Sequence, residues 1–470
     1  MAAPAVAQTV APEPPPPGVE SESETETEPS PVDPYARDPN APVPRADRAR
    51  GWAVRPRHGY NEAVAWAKHA GRRGAQFSLE MALAPIEGAL RLDERFQLVK
   101  RVENLLYNDE RSAGVVPSLS YVSGFGPVFG ANAFHKDLFG DGERVALKVS
   151  YGGLYNQLYQ LTVDLPSLLD GKLYFEGLAR YEGKAELYFS GIGDPPSVDP
   201  MPGVLVDPRA GSVETRYAQR RGLGVLAAGR NFGWHGAHLR AGASFVYNVR
   251  EFDALDADDD DLSTPDAYDT AALPAFDDGV DTLEITADAT LDTRDAAGAT
   301  GSGWVVDAFA GGAPSLDGNP YLHYGVEATW YRTLFRSRRV IVLRAMHEGV
   351  DGDETQIPFT ELPRLGGPAR LRGYRLDRFR DELAFVGTVE YRYPIHYYAS
   401  GAFFFDVGTV AQTYRGLLDG DGWRPGGGAG IVVHTLHDVA LRIDVSYGES
   451  FELFVTTDAL AAFTGRTREL

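Results

Sequence analysis

The sequence predicts an all-β fold, a transmembrane antiparallel β-barrel of about 16 strands, preceded by a disordered leader and one or two amphipathic helices. Three observations support this prediction. No stretch reaches the roughly 18 consecutive apolar residues that a membrane helix requires. From Val115 onward, apolar and polar residues alternate with a period of two in segments of about 10 residues or more. Short turns and long acidic loops join these segments alternately, as in outer-membrane barrels.

Length and composition limit the classes of function. The chain has 470 residues, a formal net charge of −21 and no cysteine. By length it could hold about two or three soluble domains or one large β architecture. The acidic charge argues against nucleic acid as a partner. The lack of cysteine suits export into an oxidising compartment, although many cytosolic chains also lack it.

Residues 1–50 are predicted to form a disordered leader. They are rich in proline, contain the acidic tract VESESETETEPSP and hold almost no large apolar residues. Such a segment buries too little apolar surface to offset the entropy lost on ordering. The first residues, MAAPAVAQ, fit either the small-residue end of a trimmed export signal or an arbitrary leader of alanine and proline.

Residues 51–110 are predicted to form a helical N-terminal segment. Apolar residues recur there at spacings of three and four, which gives one apolar helix face. These residues are Leu92, Phe96, Val99, Val102 and Leu106. The helices could dock on the barrel, lie at a membrane surface or cap the barrel, and the sequence leaves the three alternatives open.

Residues 111–470 are predicted to form the barrel. In the segment TLEITADATLDT, Leu283 and Ile285 share one face, whereas Glu284 and Thr286 share the other. A soluble β-sandwich alternates in the same way and is the alternative fold. Segment length, unequal loops and the aromatic residues near segment ends favour the membrane barrel.

The pattern gives about sixteen strands, an even number, as closure of a single-chain antiparallel barrel prefers. With this count, the long segments 191–213, 252–280 and 349–381 lie at the same end of the barrel. The predicted strands are 115–125, 127–136, 143–152, 154–165, 171–190, 214–232, 236–251, 281–292, 303–313, 320–333, 339–349, 382–395, 398–411, 427–435, 438–448 and 451–458.

An ordered set of motifs resembles a known family. The loop GGPARLRGY is similar to the [VIL]-R-G-[FY] loop of the BamA/TamA-type superfamily, the protein-assembly and translocation barrels with the bacterial surface antigen domain. Three further pieces match in order, LDTRDAAGATGSGW, VEYRYPI and FFFDVG. The residues that carry the loop match and the turn match are Leu371, Arg372, Gly373, Tyr374, Asp292, Arg294, Asp295 and Gly303. The resemblance covers about residues 110 to 460.

The resemblance implies a role for the loop arginine. In this family the loop folds back into the barrel lumen, where its arginine meets acidic residues of the inner wall. By position, the arginine is Arg372 and its partners are Asp406 and Glu390. A carboxylate in a partly dry lumen is better tolerated beside a planar guanidinium. The alternative is that Arg372 is an ordinary solvated loop arginine.

The resemblance also implies a seam between the first and last strands. In this family the two strands pair weakly and open sideways, so that a client strand can add to the exposed edge. The first strand here would be GVVPSLSYVSGFG, with Gly114, Pro117 and Gly124. Proline removes a ladder donor and glycine packs poorly, so a weak seam is expected.

Two features depart from the family pattern. Members usually carry POTRA domains before the barrel, each with strands and helices, and no such domain fits the residues before 110. The sequence therefore resembles a member that lacks them, and how clients would be delivered stays open. The last residues also lack the usual C-terminal aromatic, the nearest being Phe463.

No catalytic residues, metal ligands or cofactor are expected. The sequence contains no G-x-S-x-G, no H-E-x-x-H and no phosphate-binding glycine loop. The tract DALDADDDDLSTPD matches a calcium loop only in its density of carboxylates, because Asp261 and Ala267 stand where glycine and glutamate are needed. A solvated loop is the simpler interpretation, and an enzyme is not expected.

Three functions fit these predictions. The first is an outer-membrane barrel that inserts or translocates protein clients through its seam or lumen. The second is a gated pore for ions or small solutes. The third is a structural or adhesive barrel that displays its acidic loops. Each would lie in the outer membrane of a Gram-negative-type bacterium, with lipid or lipopolysaccharide, unfolded outer-membrane or secreted proteins and periplasmic helpers as partners.

Overall fold

The structure is a computed structural model. It describes residues 112–456, together with Leu106, Asn108 and Glu110, apart from short gaps at 139, 141, 169–171, 202, 235, 256–260, 297–299, 314–319, 335–338, 397–398, 420–421 and 435–438. The predicted leader, nearly all of the predicted helical segment, in which no POTRA domain was expected, and Phe463 lie outside the described residues.

Sixteen antiparallel strands form a closed barrel in which sequence neighbours pair and the last strand returns to the first. Two further short strands, β12 and β13, pair with each other inside the connection between β11 and β14. The strands are β1 Ala113–Val122, β2 Gly126–Lys136, β3 Arg144–Gly152, β4 Tyr155–Ser167, β5 Leu173–Phe189, β6 Thr215–Trp234, β7 Ala237–Asp253, β8 Val280–Asp292, β9 Ser302–Ala313, β10 Tyr321–Leu334, β11 Arg339–Gly352, β12 Arg364–Leu365, β13 Phe379–Arg380, β14 Leu383–His396, β15 Ala399–Ala411, β16 Arg424–His434, β17 Val439–Tyr447 and β18 Phe451–Thr456.

The sixteen predicted strands coincide with the barrel strands to within a few residues, so the predicted fold class is confirmed. The pair β12 and β13 was not predicted, because two-residue strands leave no periodic pattern. Besides Leu106 and Leu168, which are helical and adjoin undescribed residues, the described residues form the short helical pieces α1 Thr264–Ala267, a 3₁₀ turn Thr270–Ala272 and α2 Tyr414–Leu418. None of the described helices has the length and apolar character needed to traverse a bilayer.

The period-two pattern assigns each side chain to one face of the wall. On β8 the inward side chains Glu284 and Thr286 are buried, whereas Ile285 between them is 46% exposed. On β15 Asp406 is buried, and Phe405 before it is 52% exposed. The barrel is therefore polar inside and apolar outside, the reverse of a soluble sheet.

Exposed aromatic side chains lie on the outer wall near both ends of the barrel. Phe129, Tyr151, Tyr447 and Phe451 lie at the end with the long connections, and Phe232, Trp234 and Trp304 lie at the end with the short turns. Aromatic rings of this kind mark the two interfaces of a membrane-spanning barrel.

Three long connections, 190–214, 254–279 and 353–382, lie at one end of the barrel and are called the long loops here. They share a buried apolar cluster with the strand ends. Within it Phe359 lies 5.8 Å from Phe189 and 5.5 Å from Tyr217, measured between ring centroids. The cluster gives this end of the barrel an apolar core of its own, which fixes the positions of the loops.

Candidate functional site

The connection between β11 and β14 carries the LRGY motif on the segment between β12 and β13. Leu371 and Tyr374 are buried against Met346, Leu365 and Phe379. This apolar packing holds the segment against strands β11 and β14, since Met346 belongs to the inner face of β11. Arg372 lies between these two anchoring side chains and is 2% exposed.

Arg372 makes three hydrogen bonds to one carboxylate of the inner wall. Its Nε donates to Oδ2 of Asp406 at 2.7 Å and its Nη2 donates to Oδ1 at 2.8 Å. The backbone N–H of Arg372 also donates to Oδ2, at 3.1 Å. A paired side-chain contact of this kind is the strongest geometry available to arginine and carboxylate.

A second carboxylate extends the contact into a network. Arg372 Nη1 donates to Oε2 of Glu390 at 3.2 Å, and Arg442 Nη2 donates to the same oxygen at 2.9 Å. Arg392 Nε donates to Oε1 of Glu390 at 2.7 Å. Asp444 accepts from Arg442 Nε at 2.7 Å. Three guanidinium groups and three carboxylates therefore neutralise one another inside the wall, with Asp406 as the third acid.

An aromatic ring completes the environment of Arg372. The guanidinium carbon lies 3.4 Å from the centroid of the Phe404 ring. Phe404 is inward-facing on β15, two residues from Asp406. A guanidinium stacked on a ring keeps its edge free for carboxylates, so the ring and the acids can hold Arg372 at once.

Gly373 brings the loop backbone against the turn between β17 and β18. Its φ is +96°, and a Cβ there would lie 2.6 Å from the carbonyl carbon of Tyr447. Its carbonyl oxygen accepts from the backbone N–H of Glu449 at 3.0 Å and from that of Ser450 at 3.4 Å. Only glycine combines this conformation with so close an approach.

The other arginines of the loop bind different elements of the barrel. Arg370 pairs with Glu348 of β11 at 2.7 Å. Arg378 donates from Nε and Nη2 to the two oxygens of Glu449, at 2.8 and 2.9 Å. Arg380 is 1% exposed, and its Nη2 donates to the carbonyl oxygen of Tyr188 at 3.2 Å. The sequence analysis singled out only Arg372, because the family resemblance assigns partners to that arginine and nothing local in the sequence points to the partners of the others.

The seam between β1 and β18 closes the barrel. The described residues show three register pairs between these strands, Ser120 with Thr456, Tyr121 with Val455 and Val122 with Phe454. Between β1 and β2 there are ten pairs, running from Ala113 with His135 to Val122 with Gly126. The described part of β18 ends at Thr456, so the register pairs with β1 are given from Ser120 onward.

Of the residues predicted for the seam strand, Gly114 and Pro117 lie in β1, opposite Phe134 and Ala131 of β2. Gly124 lies beyond β1, in the turn to β2, with a φ of +85°. A Cβ on Gly124 would lie 2.5 Å from the hydroxyl oxygen of Tyr188. This glycine is therefore required by the turn and its contact, and it does not weaken the strand itself.

The residues of the D-T-R-D motif lie at the opposite end, in the connection between β8 and β9. Arg294 Nη2 donates to Asp292 Oδ2 at 2.7 Å. Asp295 Oδ1 accepts from the backbone N–H of Gly301 at 2.8 Å. Gly303 has a φ of +125°, and a Cβ there would lie 2.4 Å from the carbonyl oxygen of Thr293. These contacts close the turn, and the structure does not bring them near Arg372.

Several solved structures are similar to this chain at low identity. BamA from Haemophilus ducreyi lacking POTRA domains 1–3 is 13% identical with a TM-score of 0.49, over 74% of this chain and 70% of that one. CdiB from Escherichia coli is 9% identical with a TM-score of 0.47, over 73% and 62%. CdiB from Acinetobacter baumannii is 12% identical with a TM-score of 0.44, over 72% and 58%. The chain thus covers less than two thirds of either CdiB.

No curated protein sequence matches the chain. The family model described as the Omp85 superfamily domain matches residues 137–447, which is more than half of the chain. The match begins directly after β2 and ends with β17, so it contains Arg372 and all its carboxylate partners. This chain belongs to the Omp85 superfamily.

Proposed function

We propose that this chain is an outer-membrane barrel that inserts or translocates protein clients through the seam between β1 and β18. Membership of the Omp85 superfamily supports handling of protein clients in the outer membrane in general. The observation that carries the finer proposal is the attachment of the LRGY segment to the turn that leads into β18, through the carbonyl oxygen of Gly373 and the side chain of Arg378.

Strand β1 is suited to receive another strand once β18 has left it. Ala113 to Leu119 pair with β2, so their backbone is already extended and fixed in register. A client strand that adds to such an edge gains main-chain hydrogen bonds without ordering the edge itself. Pro117 lacks an N–H group, which lowers the number of bonds that β18 or a client can make there.

The LRGY segment contacts the turn that leads into β18, the other strand of the seam. Gly373 accepts hydrogen bonds from the turn between β17 and β18, and Arg378 binds Glu449 in that turn. Because β18 is the movable partner in this proposal, the loop restrains the strand that must leave β1. The network around Arg372 then serves as the fixed attachment of the loop to β14, β15 and β17.

The orientation and organisation of the chain complete the proposal. The long loops face the cell exterior and the short turns face the periplasm, the asymmetry of bacterial outer-membrane barrels. The leader 1–50 and the helical segment 51–110 precede the barrel domain 111–470. Lipid or lipopolysaccharide surrounds the outer wall, and periplasmic helpers bring the clients.

A disulfide across the seam tests this function. The chain has no cysteine, so the double variant Ser120→Cys with Thr456→Cys introduces the only two thiols. The matched control is Ser244→Cys with Thr286→Cys, another opposed serine and threonine, in the fully paired ladder of β7 and β8. Each protein is folded into liposomes, and the folding rate of an added urea-unfolded outer-membrane β-barrel is measured with the disulfide formed and reduced.

We expect the seam disulfide to abolish acceleration of client folding and reduction to restore it. The control disulfide should leave the acceleration unchanged. Equal activity of the oxidised and reduced seam variants would contradict a lateral route. Steady ion conductance without any effect on clients would favour the pore, and a phenotype that is lost only on deletion of the acidic loops would favour the adhesive barrel.

A further inference from the structure

One connection at the loop end lies on the outer wall. The described residues 412–419 and 422–423 lie between β15 and β16 and include α2, and they are called the outer strap here. Leu417 is buried against Leu383 and Ala411, with Phe385 packed beside them. Leu383 and Phe385 alternate with the inward residues Ala384 and Val386, which belong to a different cluster inside the barrel. The outer strap therefore packs against the exterior of β14 and β15.

The outer strap reaches across two further strands. The hydroxyl of Tyr414 lies 2.9 Å from that of Tyr324 on β10 and 3.2 Å from Nε2 of His347 on β11. Both partners lie on the outer face, since His323 and Glu348 beside them bond each other inside the barrel. At its other end Trp423 contacts Phe385, with ring centroids 5.6 Å apart. The strap is thus attached at both ends and in the middle.

The outer strap exposes two large apolar side chains. Leu418 is 81% exposed and Tyr414 is 53% exposed. They stand four residues apart in α2, so they point from the same side of the helix. Arg415, between them in sequence, is also exposed. Leu418 and Tyr414 together form a small exposed apolar patch on a segment that is held against the wall.

The surroundings identify what covers this face. It continues the lipid-facing wall, because Leu322 and Val326 flank Tyr324 on the outer face of β10 and are 56% and 41% exposed. Tyr447 and Phe451 occupy the same end of the barrel elsewhere on the wall. Tyrosine with leucine and a nearby arginine is the combination found at the boundary between acyl chains and headgroups.

We propose that the outer strap is a lipid anchor that seats α2 in the outer interface of the membrane. Leu418 and the ring of Tyr414 lie among the acyl chains, and Arg415 extends to the lipid phosphates. The anchor fixes the depth of β14 and β15, the strands that hold Glu390 and Asp406. The proposal of a lipid anchor rests on the membrane location given in the proposed function, and it is independent of the route that clients take.

Site-specific fluorescence in the full chain tests the anchor. Single variants Leu418→Cys, Leu205→Cys and Val326→Cys are labelled with an environment-sensitive fluorophore and folded into phosphatidylcholine–phosphatidylglycerol vesicles. Leu205 is the matched control, a leucine 52% exposed on a long loop, and Val326 reports insertion of the wall. Quenching by brominated lipid and by aqueous iodide is measured for each position.

We expect strong brominated-lipid quenching and weak iodide quenching at 326 and 418, and the reverse at 205. In the Leu418→Cys background, Arg415→Glu should shift the fluorophore toward iodide. Quenching at 326 but not at 418 would overturn the anchor while leaving the barrel in the membrane. No lipid quenching at 326 would instead overturn the membrane location. A spontaneous disulfide between two Leu418→Cys chains would identify a second copy as the occupant and likewise overturn the proposal.

Discussion

Arg372 and Asp406 are joined by two side-chain hydrogen bonds, at 2.7 and 2.8 Å, and by a third from the backbone N–H of Arg372 at 3.1 Å. Both the side chain and the backbone of the loop are thereby fixed to one residue of β15. Because these groups are almost wholly buried, neither charge has water as an alternative partner.

Replacement of Arg372 should release the loop without unfolding the barrel. Arg372→Ala leaves Asp406 buried without its main partner, at a cost of about 3–5 kcal/mol to the docked loop. Arg372→Lys should recover only part of this, since lysine cannot bind both oxygens in one plane. Hydrogen exchange of the amides in 366–378 measures docking, and the electrophoretic shift on heating measures the folded barrel.

The double variant Arg372→Ala with Asp406→Ala provides the control. Removing both charges should destabilise the loop less than the sum of the single changes, because the uncompensated charge is gone. Additive effects, or unchanged protection in Arg372→Ala, would contradict the role given to this pair.

Gly373→Ala should displace the loop from the turn between β17 and β18. The positive φ alone costs about 1–3 kcal/mol for alanine. At this position the Cβ would also lie 2.6 Å from the carbonyl carbon of Tyr447, so the backbones must separate. Gly236→Ala is the matched control, with a φ of +73° and nothing within 4 Å of the added atom. If both variants lost loop protection and client folding to the same extent, backbone strain alone would explain the loss. The close approach of Gly373 to Tyr447 would then make no contribution.

Charge reversal at Arg378 should loosen the seam. Its pair with Glu449 is partly exposed, so the pair contributes at most about 1 kcal/mol. Arg378→Glu in the Ser120→Cys, Thr456→Cys background should lower the yield of the seam disulfide, because the turn carrying β18 is repelled. Adding Glu449→Arg should restore the yield. If the charge reversal left the yield of the disulfide unchanged, the contact between Arg378 and Glu449 would have no influence on the seam.

Alkaline pH should weaken the packing of the long loops. The Tyr268 hydroxyl is fully buried, donates to the carbonyl oxygen of Val213 at 2.9 Å and accepts from its N–H at 2.6 Å. Burial raises the pKa of Tyr268 to about 12. The folded state favours the neutral phenol, so its stabilisation is complete below the ordinary pKa near 10 and is lost as pH rises toward 12.

Protease sensitivity of the loops, measured from pH 9 to 12, checks this dependence. Tyr268→Phe should lack the part of the change that follows ionisation of this phenol. Identical pH profiles in the two proteins would show that other groups control the loops.

The strands could be predicted because the two faces of the barrel wall have different surroundings. Ile285 alternates with Glu284 and Thr286 because lipid lies on one side of the wall and a polar lumen on the other. Each strand can therefore be recognised from its own residues. The resemblance drew attention to the motif around Arg372, whose side chain bonds Asp406 and Glu390 in the structure. The pairs of Arg370, Arg378 and Arg380 could not, since nothing local in the sequence relates them to Glu348, Glu449 or Tyr188.

The sequence by itself determined the barrel, its strand number and which face of each strand meets the membrane, because the period of two is a local property of the chain. Tertiary structure alone decided which loop folds over the lumen and which folds outward. The segments 364–380 and 412–423 are both loops with arginine, glycine and apolar residues. Closure of the barrel sets Asp406 and Glu390 beneath the first and Leu383 and Phe385 beside the second, and these contacts between distant residues direct one inward and the other to the outer wall.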